Sequence, residues 1–260
     1  MDQEVYHGDC FERLAQIPDK SVDLILTDPP YGHRNNDGDL IHCWEAALGR
    51  LPCGAASQQA EARPIDNDGP EANDLVRRLF AEAARLLAPS GSCCCCCCCC
   101  GGGGPDPQFA RWSLWMDEVL AFDQMIVWDK GPMGMGWRYR RSYEVVLVAH
   151  RRGGKMSWYD ESKKIENVIR PGDYGVRKVI PTAEQHPTQK PVALFEHFIR
   201  LHTRPGDLVV DPFCGSGSSG VAAKKLGRRW IGCDTDERWV KLTCERLAAT
   251  TPPLPGIDNF

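Results

Sequence analysis

Val22-Asp-Leu-Ile-Leu-Thr27 is a nearly unbroken apolar run that leads straight into Asp28-Pro29-Pro30-Tyr31. A run this short and this apolar suits a strand covered on both faces, as in a parallel sheet between helices. Neither proline can donate to a strand ladder, so the strand must stop there. The rest of the chain keeps to the same plan. Further strands are predicted at Glu4–Asp9, Cys93–Cys100, Met125–Trp128, Tyr143–Ala149, Leu208–Val210 and Trp230–Cys233. Helices are predicted at Cys10–Ile17, Glu71–Leu87, Gln108–Leu120, Pro191–Leu201, Ser218–Leu226 and Asp236–Ala248. In the second of these, Ala72, Leu75, Val76, Leu79, Phe80, Ala83 and Leu86 follow the 3.6-residue period. Strands alternating with helices predict an α/β fold with a mostly parallel sheet. One domain is expected over 1–249, with irregular insertions near 33–70 and 131–180 and a Pro-rich flexible tail at 250–260.

Charge narrows the function classes. The 260 residues carry 31 Lys plus Arg against 35 Asp plus Glu, a formal net charge of -4. That excludes a binder that holds nucleic acid by bulk positive charge, and leaves room for a local basic groove. The start, Met1-Asp2-Gln3-Glu4, is acidic, unlike a secretory signal. The longest uncharged stretch, Leu86–Pro105, is interrupted by Gly and Pro and reads poorly as a membrane span. The expectation is a cytoplasmic protein without a membrane partner.

Eight of the fourteen cysteines are consecutive, Cys93 to Cys100. At about 3.3 Å per residue, alternate side chains on one strand face lie about 6.6 Å apart. That is too far for two thiolates to share a zinc ion or for a disulfide. The run reads as a buried strand of reduced thiols acting as small hydrophobes, and no metal site is expected.

Two motifs carry chemistry. Leu208-Val-Val-Asp-Pro-Phe-Cys-Gly-Ser-Gly217 is a strand, a glycine turn and a helix start. Such a turn lets backbone approach a ligand, and its N–H groups are read as facing anionic atoms. About twenty residues on, a second strand ends at Asp234, an acid placed to bind a ribose diol. The alternative is an ordinary strand-to-helix turn. The other motif, Asp28-Pro-Pro-Tyr31, stands at a strand's C-terminal end, where open α/β sheets bind ligands. Asp28 and the Pro29 carbonyl can accept two hydrogen bonds from an exocyclic amine, and Tyr31 offers a ring for a planar base. The alternative is a proline-stiffened turn with a surface acid.

Asp28-Pro-Pro-Tyr31, then His186-Pro-Thr-Gln-Lys-Pro191, then Asp211-Pro-Phe-Cys-Gly-Ser-Gly217 resemble the DNA amino-methyltransferases, adenine-N6 and cytosine-N4, in the motif order of the beta class. The resemblance covers about residues 4–248. It implies a permuted Rossmann-like sheet of seven strands, one antiparallel, with helices on both faces and the two chain ends as neighbours. It implies S-adenosylmethionine as cofactor and DNA as partner; a homodimer and a restriction endonuclease partner stay open. Asp28, Pro29, Pro30 and Tyr31 match the catalytic motif. Asp211, Phe213, Gly215, Ser216 and Gly217 match the cofactor loop, and Asp234 the ribose-binding acid, where the family more often has Glu. Asp9, with Cys10 beside it, matches the acid that contacts the cofactor's adenine. Thr188 and Lys190 match the segment at its methionine end. Asp as the first motif residue favours adenine as the target base, with cytosine-N4 transfer or a catalytically silent DNA-binding module as the alternatives.

A DNA-facing surface is expected where basic and aromatic residues interleave. Arg138, Arg140, Arg141, Arg151, Arg152 and Lys155 stand with Trp137, Tyr139, Trp158 and Tyr159 in or beside them. The second candidate is the 33–70 segment, with Arg34, Asn35, Asn36, His42 and Trp44.

Overall fold

The computed structural model describes residues 3–31, 71–97, 108–131, 142–177 and 188–253. Among these, eight strands form one sheet in the order β1-β8-β7-β2-β3-β5-β4-β6. They are β1 (Gln3–His7), β2 (Val22–Thr27), β3 (Leu87–Cys97), β4 (Ala121–Asp129), β5 (Tyr143–His150), β6 (Val168–Ile169), β7 (Leu208–Asp211) and β8 (Arg229–Asp234). Of the eight, only β5 runs antiparallel to its neighbours, β3 and β4. The eighth strand, beyond the seven expected, is β6, a two-residue edge piece on Val127 and Trp128. The chain opens on β1 and β8 pairs beside it, so the first and last strands are neighbours as the resemblance implied.

Six helices among the described residues cover the two faces: α1 (Cys10–Leu14), α2 (Ala72–Leu86), α3 (Gln108–Val119), α4 (Val192–His202), α5 (Ser218–Lys225) and α6 (Glu237–Ala249). Side chains alternate across a strand, so each central strand feeds both layers. Ile25, Cys93, Cys95, Val145 and Leu147 pack with Leu14 of α1, Val76, Leu79 and Phe80 of α2, and Trp112 and Met116 of α3. Leu24, Leu26, Cys94, Cys96, Val146 and Val148 pack with Leu194, Phe195 and Phe198 of α4, Ala222 of α5 and Leu247 of α6. Cys93 to Cys96 are therefore a doubly covered strand of free thiols. Nothing in the packing explains why sulfur stands there rather than a branched carbon. Cys98 to Cys100 lie outside the described residues. At the head of β3, Pro89 and Gly91 fall in a bulge, where the register jumps from Val22–Leu87 to Leu24–Ser92. A bulge is where a strand tolerates proline.

Arg151 and Arg152, expected on a DNA-facing surface, are engaged in the fold by the ends of two helices. They follow β5 at the edge where the parallel strands begin. Arg151 Nη1 donates to the carbonyls of Ala84 (2.7 Å) and Leu87 (2.8 Å), closing the end of α2. Arg152 donates to the carbonyls of Asp117 and Leu120, closing α3. Unpaired carbonyls and the negative end of the helix dipole draw a guanidinium there, and a linear reading of charge does not register such partners. Trp158 lies against His202 at the end of α4, ring centroids 5.6 Å apart, on this same far edge. No helix among the described residues is long and apolar enough to cross a membrane.

The middle of the sheet is tied by Asp211. Its carboxylate accepts from the Thr27 hydroxyl at 2.7 Å, from the Ser219 hydroxyl, and from the Phe213 amide at 3.2 Å. Burial pushes its pKa from 3.8 to about 7. Between those values the folded protein holds a proton that the unfolded chain releases, so stability from this group is full below 3.8 and is lost as pH rises through about 7.

Two outcomes are expected. Arg151→Met should cost about 1.5–3 kcal/mol in urea unfolding, the range for hydrogen bonds to a charged group, and leave DNA affinity unchanged. From about pH 4 to about pH 7 the wild-type urea midpoint should carry a downward component that Asp211→Asn lacks, the buried acid having gone.

Candidate active site

The parallel strands all end at one edge, and the site is laid out along it. Asp9 follows β1, Asp234 ends β8, Asp211 ends β7 and Asp28 follows β2. The antiparallel β5 begins at this edge with Tyr143-Glu144, and β4 arrives there at Asp129, with Lys130 next. From β7 the chain crosses to β8 through α5 on one face. From β2 it reaches β3 through α2 on the other. The crevice between β7 and β2 is thus the switch point where open α/β sheets take their ligands.

The glycine turn after β7 is held from within. The Cys214 amide donates to the Cys233 carbonyl (2.8 Å), Gly215 to Asp234 Oδ2 (2.9 Å), and Gly217 to the Cys214 carbonyl (2.7 Å). With the Phe213 amide on Asp211, four N–H groups of this turn are spent inside the protein. The turn does not present them to an anion, which corrects the expectation drawn from its glycines. Behind it stands α6. Thr243 Oγ1 donates to the Gly215 carbonyl at 2.9 Å, and Arg246 to that of Ser216. Gly217 has φ +72°, and a Cβ there would fall 2.4 Å from Thr243 Cγ2, so both backbone and neighbour require glycine.

Several residues matched to cofactor binding face inward. Asp211 and Ser216 are buried, 2% and 4% exposed. Cys10 is buried in the first turn of α1, and burial pushes its thiol to about 12. Asp211 shapes the turn and the strand ends through Thr27, Ser219 and the Phe213 amide. Asp9 caps α1 through Oδ1 to the Phe11 amide (2.8 Å), and its residue is exposed. Asp234 is half-buried beside it, joined by the Gly8 amide on the Asp234 carbonyl (3.0 Å). Asp234 Oδ1 also accepts from the Asp236 amide at 2.9 Å. Phe213 is partly buried, and Thr188 lies two residues ahead of Lys190.

Lys190, which the resemblance matched to the segment at the cofactor's methionine end, stands beside the catalytic motif. The fold places its ammonium 2.5 Å from Asp28 Oδ2, 3.2 Å from the Tyr31 hydroxyl and 3.5 Å from Glu144 Oε2. Tyr31 donates to Asp28 Oδ1, and its ring is 6.3 Å from that of Trp112. Burial is the largest influence on Asp28 and raises its pKa, against the pull of Lys190 and with Glu144 adding to the rise. Burial also acts on Glu144, but Lys190 and Lys130 outweigh it and hold its carboxyl below the usual range. Lys130 Nζ lies 2.5 Å from Glu144 Oε1.

Reading the sequence for function missed Glu144 and Lys130. The signal was present: Glu144 is an acid at the head of an otherwise apolar strand, and Lys130 directly follows another. Arg138, Arg140, Arg141, Trp137, Tyr139 and the 33–70 candidates lie outside the described residues. The segment that contains Arg138 to Arg141 joins Gly131 to Ser142, both on the active-site edge.

A family model for DNA methylases matches residues 22–245. "DNA adenine methyltransferase YhdJ" of Escherichia coli (strain K12) is 27% identical over 263 residues, covering 94% of this chain and 82% of its own length. Among solved structures, TTHA0409 of Thermus thermophilus, complexed with S-adenosyl-L-methionine, aligns with a TM-score of 0.66 at 22% identity, covering 98% of this chain and 96% of that one. The cytosine-N4-specific PvuII DNA methyltransferase aligns at 0.69 and 20% identity, covering 95% and 86%. At those identities the structures speak for the fold. With the family model spanning most of the chain, and with Asp28-Pro-Pro-Tyr31 and the glycine turn facing one crevice, this chain belongs to the DNA methylase family.

Proposed function

We propose that this protein transfers a methyl group from S-adenosylmethionine to the N6 amine of adenine in DNA. The observation that carries the reading is the Asp28 carboxylate. It stands at the end of β2 beside the glycine turn of β7, half-buried and aimed by Lys190 and Tyr31. The initial Asp of the motif and the adenine relative support adenine over cytosine.

The cofactor end of the crevice fits a nucleoside. Asp9 and Asp234 are carboxylates on adjacent strand ends, suited to an amine and to ribose hydroxyls, and Phe213 supplies apolar cover. Asp9, Asp234 and Phe213 would hold it, with the glycine turn shaping the wall beside them. Bound there, S-adenosylmethionine supplies a methyl group on a positively charged sulfur.

The target base must leave the duplex stack to reach Asp28, at a cost of a few kcal/mol that pocket contacts offset. Asp28 and the Pro29 carbonyl accept hydrogen bonds from its amine. This holds the nitrogen lone pair out of the ring's conjugation and in line for attack, so positioning contributes much of the acceleration. The N–C bond forms as the S–C bond breaks, and the amine proton leaves through Asp28 or to water. Tyr31 turns from Asp28 to the base when the amine takes its place on the carboxylate. Arg138, Arg140 and Arg141, on the connection at this edge, are the proposed phosphate contacts; Arg151 and Arg152 are not.

Asp28→Asn keeps the size of the side chain and loses its charge. It should lower turnover by about 100-fold or more while cofactor affinity by calorimetry stays within a few-fold. Digested product DNA should contain N6-methyladenine by mass spectrometry. N4-methylcytosine would instead make the cytosine reading correct, and incorporation by Asp28→Asn at the wild-type rate would remove Asp28 from the mechanism.

A further inference from the structure

Lys190 belongs to a chain of four charged side chains that converge from four separate segments. Asp28 comes from the end of β2, Glu144 from the start of β5, Lys130 from just past β4, and Lys190 from just ahead of α4. Their side chains are 17%, 9%, 17% and 7% exposed, in that order. Contacts run Asp28 to Lys190 at 2.5 Å, Lys190 to Glu144 at 3.5 Å, and Glu144 to Lys130 at 2.5 Å. The two carboxylates and two ammonium groups of these four residues balance one another. Buried ion pairs contribute little net stability compared with apolar packing, so stability alone is a poor account of it. Of the four, Asp28 is the one assigned to the target amine. Glu144 and Lys130 reach it through Lys190.

We infer that Glu144, anchored by Lys130, is a positioning residue that holds the Lys190 ammonium against Asp28, and so sets the orientation and the charge of the carboxylate that receives the amine. The inference rests on the role proposed above for Asp28. Among the described residues, the titratable groups around Lys190 include Asp28 and Tyr31 after β2, Glu144 on β5, Lys130 after β4, and Cys96 on β3; Asp211 of β7 faces Asp28. Cys96 stays a neutral thiol because burial raises its pKa. Removing the charge of Glu144 takes an attractive neighbour from Lys190 and a repulsive one from Asp28. Both groups then lose their protons at lower pH. Removing the charge of Lys130 acts in the opposite sense, and removing both restores neutrality.

The test compares Glu144→Gln, Lys130→Met, their double variant and Glu144→Asp. Two readouts are needed: the pH–rate profile for methyl transfer to DNA, and titration of the Lys190 side-chain resonance in protein carrying 13C-labelled lysine, without cofactor or DNA. Glu144→Gln should move both limbs of the profile and the Lys190 midpoint to lower pH by about one unit or more. It should lower kcat by about ten-fold, a coupling typical of charged groups in contact, with cofactor affinity unchanged. The double variant should bring the limbs and the midpoint back toward wild type. Glu144→Asp keeps the charge on a shorter reach, so it should lower kcat with the limbs in place. A folded Glu144→Gln with wild-type kcat and an unmoved Lys190 midpoint would overturn the inference, as would a double variant that shifts further than either single one. Should Glu144→Gln fail to fold, limbs that move in Glu144→Asp would overturn it equally. A wild-type protein that moves no methyl group to DNA, with the Lys190 midpoint still shifting in Glu144→Gln, would refute the functional reading and leave the coupling intact.

Discussion

An ammonium that gives up water must be met by carboxylate, and the Lys190 ammonium is met by two. Asp28 lies 162 positions away in the chain, and Glu144 lies on the antiparallel strand. Bringing both within 3.5 Å of Nζ requires β2 and β5 to flank β3 in one register and the segment ahead of α4 to cross their ends. The rest of the architecture is consistent with that demand. The strand order places β2 at the centre of the sheet. The Thr27–Asp211 hydrogen bond then fastens it to β7, whose glycine turn opens the cofactor side of the same crevice.

The two edges of the sheet use basic residues differently. At the edge where parallel strands begin, Arg151 and Arg152 are consumed as closures for α2 and α3. At the opposite edge, Lys130 and Lys190 are consumed by Glu144 and Asp28. The proposed phosphate contacts, Arg138, Arg140 and Arg141, lie in the sequence between Gly131 and Ser142, which both stand at that edge.

Inside the sheet the demands are looser. Cys93 to Cys96 alternate between the two helical layers and fill them as small apolar groups. Burial raises the pKa of Cys93, Cys94 and Cys96, which keeps them protonated and unreactive. A point of tight fit near the site is Gly217, where Thr243 of α6 leaves no space for a Cβ. A turn whose amides are bonded internally keeps its shape before any ligand arrives, and α6 is the brace that holds it.

By itself the sequence determined the layout. Apolar runs of strand length alternating with 3.6-period segments specify a parallel sheet between helices, because burial on one or both faces writes its period into the chain. Prolines 29 and 30 mark the end of β2, and the three motifs carry the family in their order. The strand and helix positions followed, to within a few residues at most ends. What the tertiary structure decided was the partner of each charge. Arg151 reads in the sequence as one of a run of basic residues, yet a guanidinium goes to whichever carbonyls or carboxylates folding brings near it. The ties of Lys190 to Asp28 and Glu144 were not legible for the same reason. The energy of an ion pair depends on distance and on exclusion of water, and neither quantity exists until segments 162 positions apart have been packed together.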